Sequence, residues 1–450
     1  MTGKTGSNHP ERRKPLDKVR QLQRLLWVAA KQSPERRFHA LYDRIWRSDV
    51  LHEAWKRVKR NKGAAGVDAQ TLADVEQHGV DFFLQEIASA LRAGTYRPAA
   101  VLRRYIPKAD GKKRPLGIPT VRDRVVQMAT KLVMDPIYEA DFKPCSYGFR
   151  RGKGPTMALE ELRKCAARGG NFVFDADIKD YFGSIDHGKL LKLVSKRISD
   201  RRMLKLLRQW LEAGVMEEGR ERKSTSGTPQ GGVISPLLAN IYLHVLDAAW
   251  EREGRQYGRL VRFADDFVVI CKTKRKAEQA EQRVRRVLAW LGLELHPEKT
   301  RQVELSWGKQ GFDFLGCHLR KRLSGKAWEK SGKRLYFLHR WPSQRAMKHV
   351  RQRVRELTGR HRNGVKDVRV IIADLNPLLR GWANYFRTGN AAEKFVEIDS
   401  YVWSRLRRFL VKRHGRNLRA GRLESWTSDF FVEAHGLHRL RGTVRYPEAA

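Results

Sequence analysis

Two adjacent aspartates, Asp265 and Asp266, stand between the apolar runs Leu260 to Phe263 and Phe267 to Cys271, and a third, Asp177, follows the apolar run Phe172-Val173-Phe174. Short apolar runs around a tight acidic turn read as a β-hairpin. If the strand ending at Asp177 lies beside that hairpin, three carboxylates meet, and they repel one another unless divalent cations neutralise them. Hard oxygen ligands at strand ends suit Mg²⁺, which completes its shell with water and phosphate oxygens. Two such ions about 4 Å apart activate an attacking oxygen and stabilise a leaving one in phosphoryl transfer. The bland alternative is a polar Asp-Asp turn with no chemistry at all. The dipeptide alone leaves both readings open.

The elements around these residues must place them. A strand at 172–174 is followed by a helix opened by Ser235-Pro236, a good N-cap and first-turn pair, with Leu238, Ile241, Val245 and Ala249 on one face. Then come the acidic hairpin, a charged amphipathic helix from Ala277 to Leu291 ended by Gly292, and a strand at Leu293 to Leu295. Strand, helix, two strands, helix, strand is the order of a split βαβ, ferredoxin-like core. Upstream, helical spacing recurs at Leu22, Leu25, Leu26 and Ala29, and at Phe83, Ile87, Ala90 and Leu91. Asn61 to Asp68 reads as a Gly-rich loop, Tyr105 to Lys108 and Arg114 to Pro119 as two short strands, and Asp123 to Ile137 as a helix. After about residue 340 three helical stretches follow, near 343–360, 366–386 and 393–413, as in a small bundle. The last turns Phe395, Ile398, Val402, Leu406 and Phe409 inward and leaves Arg405, Arg407, Arg408, Lys412 and Arg413 outside. The fold class is α+β.

Composition narrows the partner. The 450 residues hold 92 Lys and Arg against 49 Asp and Glu, a formal net charge of +43, and 41% are hydrophobic. Real cores are therefore expected, and the partner is a polyanion, nucleic acid first. No apolar run is long enough to span a membrane, and the polar, basic N-terminus is no secretory signal. Four scattered cysteines, Cys145, Cys165, Cys271 and Cys317, form no CxxC pair, which excludes a zinc module and fits a reducing compartment. Ribosomal, chromatin and polymerase proteins all satisfy these criteria.

Motif order discriminates among them. Asp177-Ile178-Lys179-Asp180-Tyr181-Phe182, Gly227-Thr228-Pro229-Gln230-Gly231-Gly232, Phe263-Ala264-Asp265-Asp266 and Phe314-Leu315-Gly316-Cys317 resemble successive blocks of reverse transcriptases. Lys62 to Asp68, Ile106-Pro107-Lys108 with Arg114 to Pro119, Ser146 to Arg150, and Leu375 to Phe386 are similar to bacterial group II intron-encoded proteins, reverse transcriptases with maturase activity. The match runs from about residue 55 to the C-terminus. It implies a right-hand polymerase: a basic N-terminal extension (1–54), fingers (55–170), a ferredoxin-like palm (171–335), an all-α thumb or maturase domain (336–425), and a short DNA-binding-like appendage (426–450).

The resemblance also implies roles. Asp177, Asp265 and Asp266 would be catalytic and, with the backbone carbonyl of Ile178, would hold two Mg²⁺ ions, with Mn²⁺ as a substitute. Lys108, Arg114, Phe182, Gln230 and Ala264 would contact the deoxynucleoside triphosphate, Phe182 as a steric gate that leaves no room for a 2′-hydroxyl. Arg380, Trp382, Tyr385, Arg387, Arg405, Arg408 and Lys412 would meet nucleic acid. Partners would be group II intron RNA, an RNA template with a DNA primer, and target DNA, in the bacterial cytoplasm within a ribonucleoprotein or at the nucleoid; a homodimer is left open. Phe263 stands where the family usually has Tyr, which keeps the ring and loses a hydroxyl, so activity should survive. No cysteine pair follows the thumb, so an HNH endonuclease and second-strand cleavage are not expected, and priming would come from elsewhere, such as nascent strands at a replication fork. Rival readings are a domesticated enzyme in repair or phage defence, a splicing cofactor with a vestigial polymerase, and a structural RNA-binding protein.

Several residues carry competing readings. Lys108 and Arg114 could clamp a triphosphate or be solvated surface charges. Lys299 could give a proton to the leaving pyrophosphate. Asp186 and His187 read better as capping or hydrogen-bonding groups than as an acid–base pair. Trp382 and Tyr385 read mostly as core, with the arginines of that helix turned to nucleic acid. His435 and His438 lack the further ligands of a metal site.

Overall fold

The computed structural model describes residues 17–446 except 108–112, 218–219, 223–226, 228–230, 326–327, 330–331, 363, 366 and 415–421. The chain divides into two compact units interleaved along the sequence. One comprises Met1–Arg151, Ile178–Glu253 and Val284–Leu295, the other Gly152–Asp177, Gly254–Arg283 and His296–Ala450.

The first unit is built on the helix Val121–Glu139, which is buried on nearly every side. A helix apolar all round belongs in a core. Thr120 caps it by accepting from the Asp123 amide, and the Asp123 carboxylate in turn accepts from the Thr120 hydroxyl (2.8 Å) and Tyr96 Oη (2.5 Å). Burial raises the Asp123 carboxyl above its usual range. Helices Lys18–Gln32 and Ser48–Asn61 pack on this core. Residues 18–54 are therefore integral to the unit rather than an extension of it. Strands β1 (Val101–Pro107) and β2 (Lys113–Ile118) form the expected antiparallel hairpin. The Gly-rich loop at 61–68 docks on the core helix, and a Cβ on Gly66 would come within 2.7 Å of the Thr120 backbone, so only glycine fits there.

In the second unit, β3 (Phe172–Asp177) lies at the centre of a four-stranded sheet. With β4 (Val215–Glu217) and β5 (Arg220–Arg222) placed in the first unit's sheet, the remaining members here are β6 (Gly258–Phe263), β7 (Asp266–Cys271) and β8 (Arg301–Glu304). The order β6-β7-β3-β8, antiparallel throughout, is that of a split βαβ sheet. The last strand is displaced from its expected position. Leu295 makes only a single bridge, to Ile178, and continuous pairing begins at Arg301. Pro297 interrupts the segment, because proline has no amide hydrogen to give a ladder.

A second sheet, β9 (Gly311–Phe314), β10 (Cys317–Leu323) and β11 (Tyr336–Pro342), leads to helices Gln344–Leu357, Val368–Phe386 and Ala392–His414. Phe395, Ile398, Val402, Leu406 and Phe409 are buried as the spacing predicts. The described part of the C-terminal segment, 426–446, packs on the helix Ala392–His414. Trp426, Phe431, Leu437 and Leu440 are buried, Trp403 donates to the Trp426 carbonyl (2.8 Å), and Asp399 accepts from the amides of Leu440 and Arg441. The four cysteines are free thiols. Among the described residues no helix is long and apolar enough to cross a membrane.

Candidate active site

The three aspartates are brought together by strand register. Asp177 at the end of β3 is paired with Asp266 at the start of β7, and a two-residue turn, Ala264-Asp265, joins β6 to β7. Ala264 has φ +60°, the left-handed conformation that tight hairpin connections require and glycine normally supplies. An alanine there costs on the order of 1 kcal/mol. The Ala264 carbonyl accepts from Nη1 of the fully buried Arg262 (2.8 Å), which fixes the turn from beneath.

Crowding of like charges shows in the ionisation of the site. The Asp266 carboxyl is pushed up to about 8, first by burial and then by the charges of Asp175, Asp177 and Asp265, with Lys299 partly compensating. Asp175 rises to about 6 through burial, against the pull of Arg301, whose Nε lies 3.1 Å from its Oδ2. Lys299 Nζ donates to Asp177 Oδ2 at 2.5 Å. Among the described residues no three His, Cys, Asp or Glu side chains are arranged to hold a metal ion. The donor set nevertheless suits a hard cation: it is oxygen-only and crowded, and Asp266 is raised first by burial and then by the neighbouring carboxylates.

Asp175 is a site residue that the motif reading passed over. Side chains two apart on a strand share a face, so Asp175 accompanies Asp177 by simple alternation. The pattern was present in the sequence as Asp-Ala-Asp.

Ile178 follows Asp177 in the first unit. Its bridge to Leu295 runs through the Lys179 amide and leaves the Ile178 carbonyl out of that pairing. Phe182 in the same unit is buried, edge-to-face with Tyr181 at 5.4 Å. Gly227, first residue of the Gly-Thr-Pro-Gln-Gly-Gly block, has φ +86°, and a Cβ on it would meet the Phe182 carbonyl and the Gly183 Cα at 2.9 Å. Its amide donates to the Ile185 carbonyl, and its carbonyl accepts from His187 Nε2 at 2.6 Å. Asp186 caps the helix His187–Ser195. His187 is thus a hydrogen-bonding group that pins the start of this block beside Phe182. Further on, Val233 N donates to the buried Gln127 (2.8 Å). Arg114 is exposed on β2, whereas Lys108 and Gln230 lie outside the described residues.

The helix Val368–Phe386 turns Trp382 and Tyr385 into packing. Trp382 lies tilted against Phe386 and Phe395 (4.9 and 5.5 Å), and Tyr385 Oη donates to the Leu315 carbonyl at 2.8 Å. Both rings are half-buried and pack partly within the bundle. Arg405 is likewise committed: its guanidinium donates to the Thr358 hydroxyl and carbonyl, capping the helix Gln344–Leu357. A helix end leaves carbonyls unsatisfied, and Arg405 satisfies them. Arg380, Arg408 and Lys412 are exposed, and Arg387 is half-buried.

The family described as "Reverse transcriptase (RNA-dependent DNA polymerase)" matches residues 106–319, and "Group II intron, maturase-specific domain" matches 347–426. Protein YkfC of Escherichia coli is 36% identical over 343 residues, covering 68% of this chain and 89% of that protein. The group II intron-encoded protein LtrA of Lactococcus lactis is 39% identical over 211 residues, 47% of this chain and 35% of LtrA. An uncharacterized 91 kDa protein in the cob intron of Schizosaccharomyces pombe is 28% identical over 439 residues, covering 82% of this chain and 52% of that protein. With the acidic hairpin in the polymerase match and the helices after Ser343 in the maturase match, the chain belongs to the group II intron-encoded reverse transcriptases.

Proposed function

We propose that this protein copies intron RNA into DNA by nucleotidyl transfer at Asp177, Asp265 and Asp266, and that its C-terminal helices hold the intron RNA so that one chain serves splicing and mobility. The observation that carries this reading is the Asp177–Asp266 register, which assembles the carboxylates on adjoining strand ends. In this reading the sheet β6-β7-β3-β8 is the palm of a right-hand polymerase, the β1–β2 hairpin belongs to the fingers, and the helices after Ser343 form the thumb. The maturase-specific match favours an intron-associated role over a domesticated one.

Asp177, Asp265 and Asp266, with the Ile178 carbonyl, would hold two Mg²⁺ ions, which activate the primer 3′-hydroxyl and neutralise charge on the departing pyrophosphate. Lys299 sits on Asp177 as its positive counter-charge. Arg301 pairs with Asp175 and offsets part of the burial that raises this fourth carboxyl, which still adds to the repulsion at Asp266. Ala264 keeps the turn tight enough for Asp265 to stand beside Asp266. Phe182 bears on the sugar and excludes a 2′-hydroxyl, while Arg114 and Lys108 bind the triphosphate and Gln230 contacts the nucleotide. Arg380, Arg387, Arg408 and Lys412 are the cations left for RNA, and target DNA, like the RNA template and DNA primer, is a substrate of the assembled ribonucleoprotein in the cytoplasm.

The test is extension of a DNA primer on an RNA template with four deoxynucleoside triphosphates and Mg²⁺. Full-length cDNA is expected, and no extension at all under these conditions contradicts the proposal.

A further inference from the structure

The β10–β11 hairpin has two unlike faces. Strand alternation buries Leu319, Lys321, Leu338 and Arg340 on one side. On the other, register sets His318 opposite Trp341, Arg320 opposite His339, and Arg322 opposite Phe337. Each of these cross-strand neighbours joins a guanidinium or imidazole to an aromatic ring. The Arg322 guanidinium lies 4.5 Å from the centre of the Trp341 ring, and the His318 and Trp341 rings are 5.1 Å apart. Arg320 Nε donates to the Gly308 carbonyl (2.8 Å), which steadies its side chain at the surface. Asp313 reaches this row at its end, bonded to His318 (2.6 Å).

The same hairpin carries exposed apolar side chains. Leu323, Trp328, Leu335 and Phe337 are each 43–46% exposed, and Arg334 stands over the Trp328 ring at 5.5 Å. Single exposed hydrophobics need no explanation, but several large ones on one hairpin mark an interaction surface. A protein partner would have to desolvate guanidinium and imidazole groups against matching acids. Duplex nucleic acid hides the faces of its bases. An unpaired strand offers both things this face lacks: flat bases to stack on rings and guanidinium planes, and phosphates to meet the cations.

We propose that the outward face of the β10–β11 hairpin, centred on Arg320, Arg322, Phe337 and Trp341, is a binding surface for single-stranded polynucleotide. It is separate from the acidic site and does not depend on the polymerase reading. Phe337 and Trp341 supply stacking area. Arg320 and Arg322 hold the backbone and add cation–π contacts.

The test uses the full-length protein and a 20-nucleotide probe as single-stranded RNA, as single-stranded DNA, and as the duplex. Arg322→Ala with Phe337→Ala is expected to weaken binding of a single strand about tenfold while duplex binding changes less than twofold. Arg322→Ala alone should lower the salt slope by about 0.7, the loss of one phosphate contact to a single strand. Loss with both RNA and DNA places recognition in base and phosphate, and loss confined to RNA adds the 2′-hydroxyl; either supports the surface. Unchanged single-strand binding, or equal loss for the duplex, overturns it. Photocrosslinking of 4-thiouridine RNA to the wild-type protein gives an independent reading that no folding defect can blur. Adducts within residues 318–341 are expected, and adducts confined to other parts of the chain overturn the proposal.

Discussion

At the scale of single residues, the site is defined by carboxylates held closer than they would choose. Asp266 is raised to about 8 and Asp175 to about 6, so the folded chain keeps protons that the unfolded chain releases near pH 4. Where the native state binds more protons, stability falls as pH rises. The metal-free protein should therefore lose several degrees of melting temperature between pH 5 and pH 8 and level off above that range. Asp266→Asn should flatten the profile, and thermal melts in EDTA at stepped pH check it. Phe182 and His187 invite a paired test. Phe182→Ala should raise ribonucleotide incorporation at least tenfold, and unchanged sugar discrimination would remove its gate role. His187→Ala should raise the KM for deoxynucleotides several-fold with little change in kcat, because it frees Gly227 without touching the carboxylates; His187→Gln, which keeps a donor, should restore part of the loss. The aspartates, Phe182 and the competing reading of His187 were all visible in the sequence. Asp175 was there to be read in Asp-Ala-Asp, but motif reading looks past neighbours; the commitment of Arg405 was not visible, because a capping partner far along the chain leaves no local mark.

At the scale of elements, the hairpins were legible and their partners only in part. The short apolar runs on either side of Asp265-Asp266, and the segments Tyr105 to Pro107 and Arg114 to Ile118, give strands their own local signature. The helices after Ser343 have strong 3.6-residue periodicity and were found within a few residues of their ends. The strand at Arg301–Glu304 was missed, since it is short, polar and defined by its pairing with β3 rather than by its own residues. The same holds for the C-terminal segment, whose buried Trp426, Phe431 and Leu440 mean little until the helix Ala392–His414 is beside them. One element invites a direct test. Ala264 tolerates φ +60° at modest cost, but a β-branched side chain there is far more strained. Ala264→Val should destabilise the protein by about 1–2 kcal/mol and reduce polymerisation out of proportion to that loss. Chemical denaturation and steady-state extension measure the two effects separately.

At the scale of the whole molecule, a net charge of +43 and a handful of acidic residues divide the work. The cations give affinity for any polyanion, which should fall steeply with salt for RNA and DNA alike. The aspartates give the chemistry. These two properties are separable, because the carboxylates lie on strand ends and contribute nothing favourable to the attraction of phosphate. The measurement that tests this most directly is single-turnover primer extension on an RNA template with Mg²⁺, comparing wild type with Asp265→Ala and recording template–primer binding of each. Loss of extension by at least a thousandfold with binding intact is the result expected; equal extension by the two proteins would contradict the assignment of catalysis to the acidic hairpin.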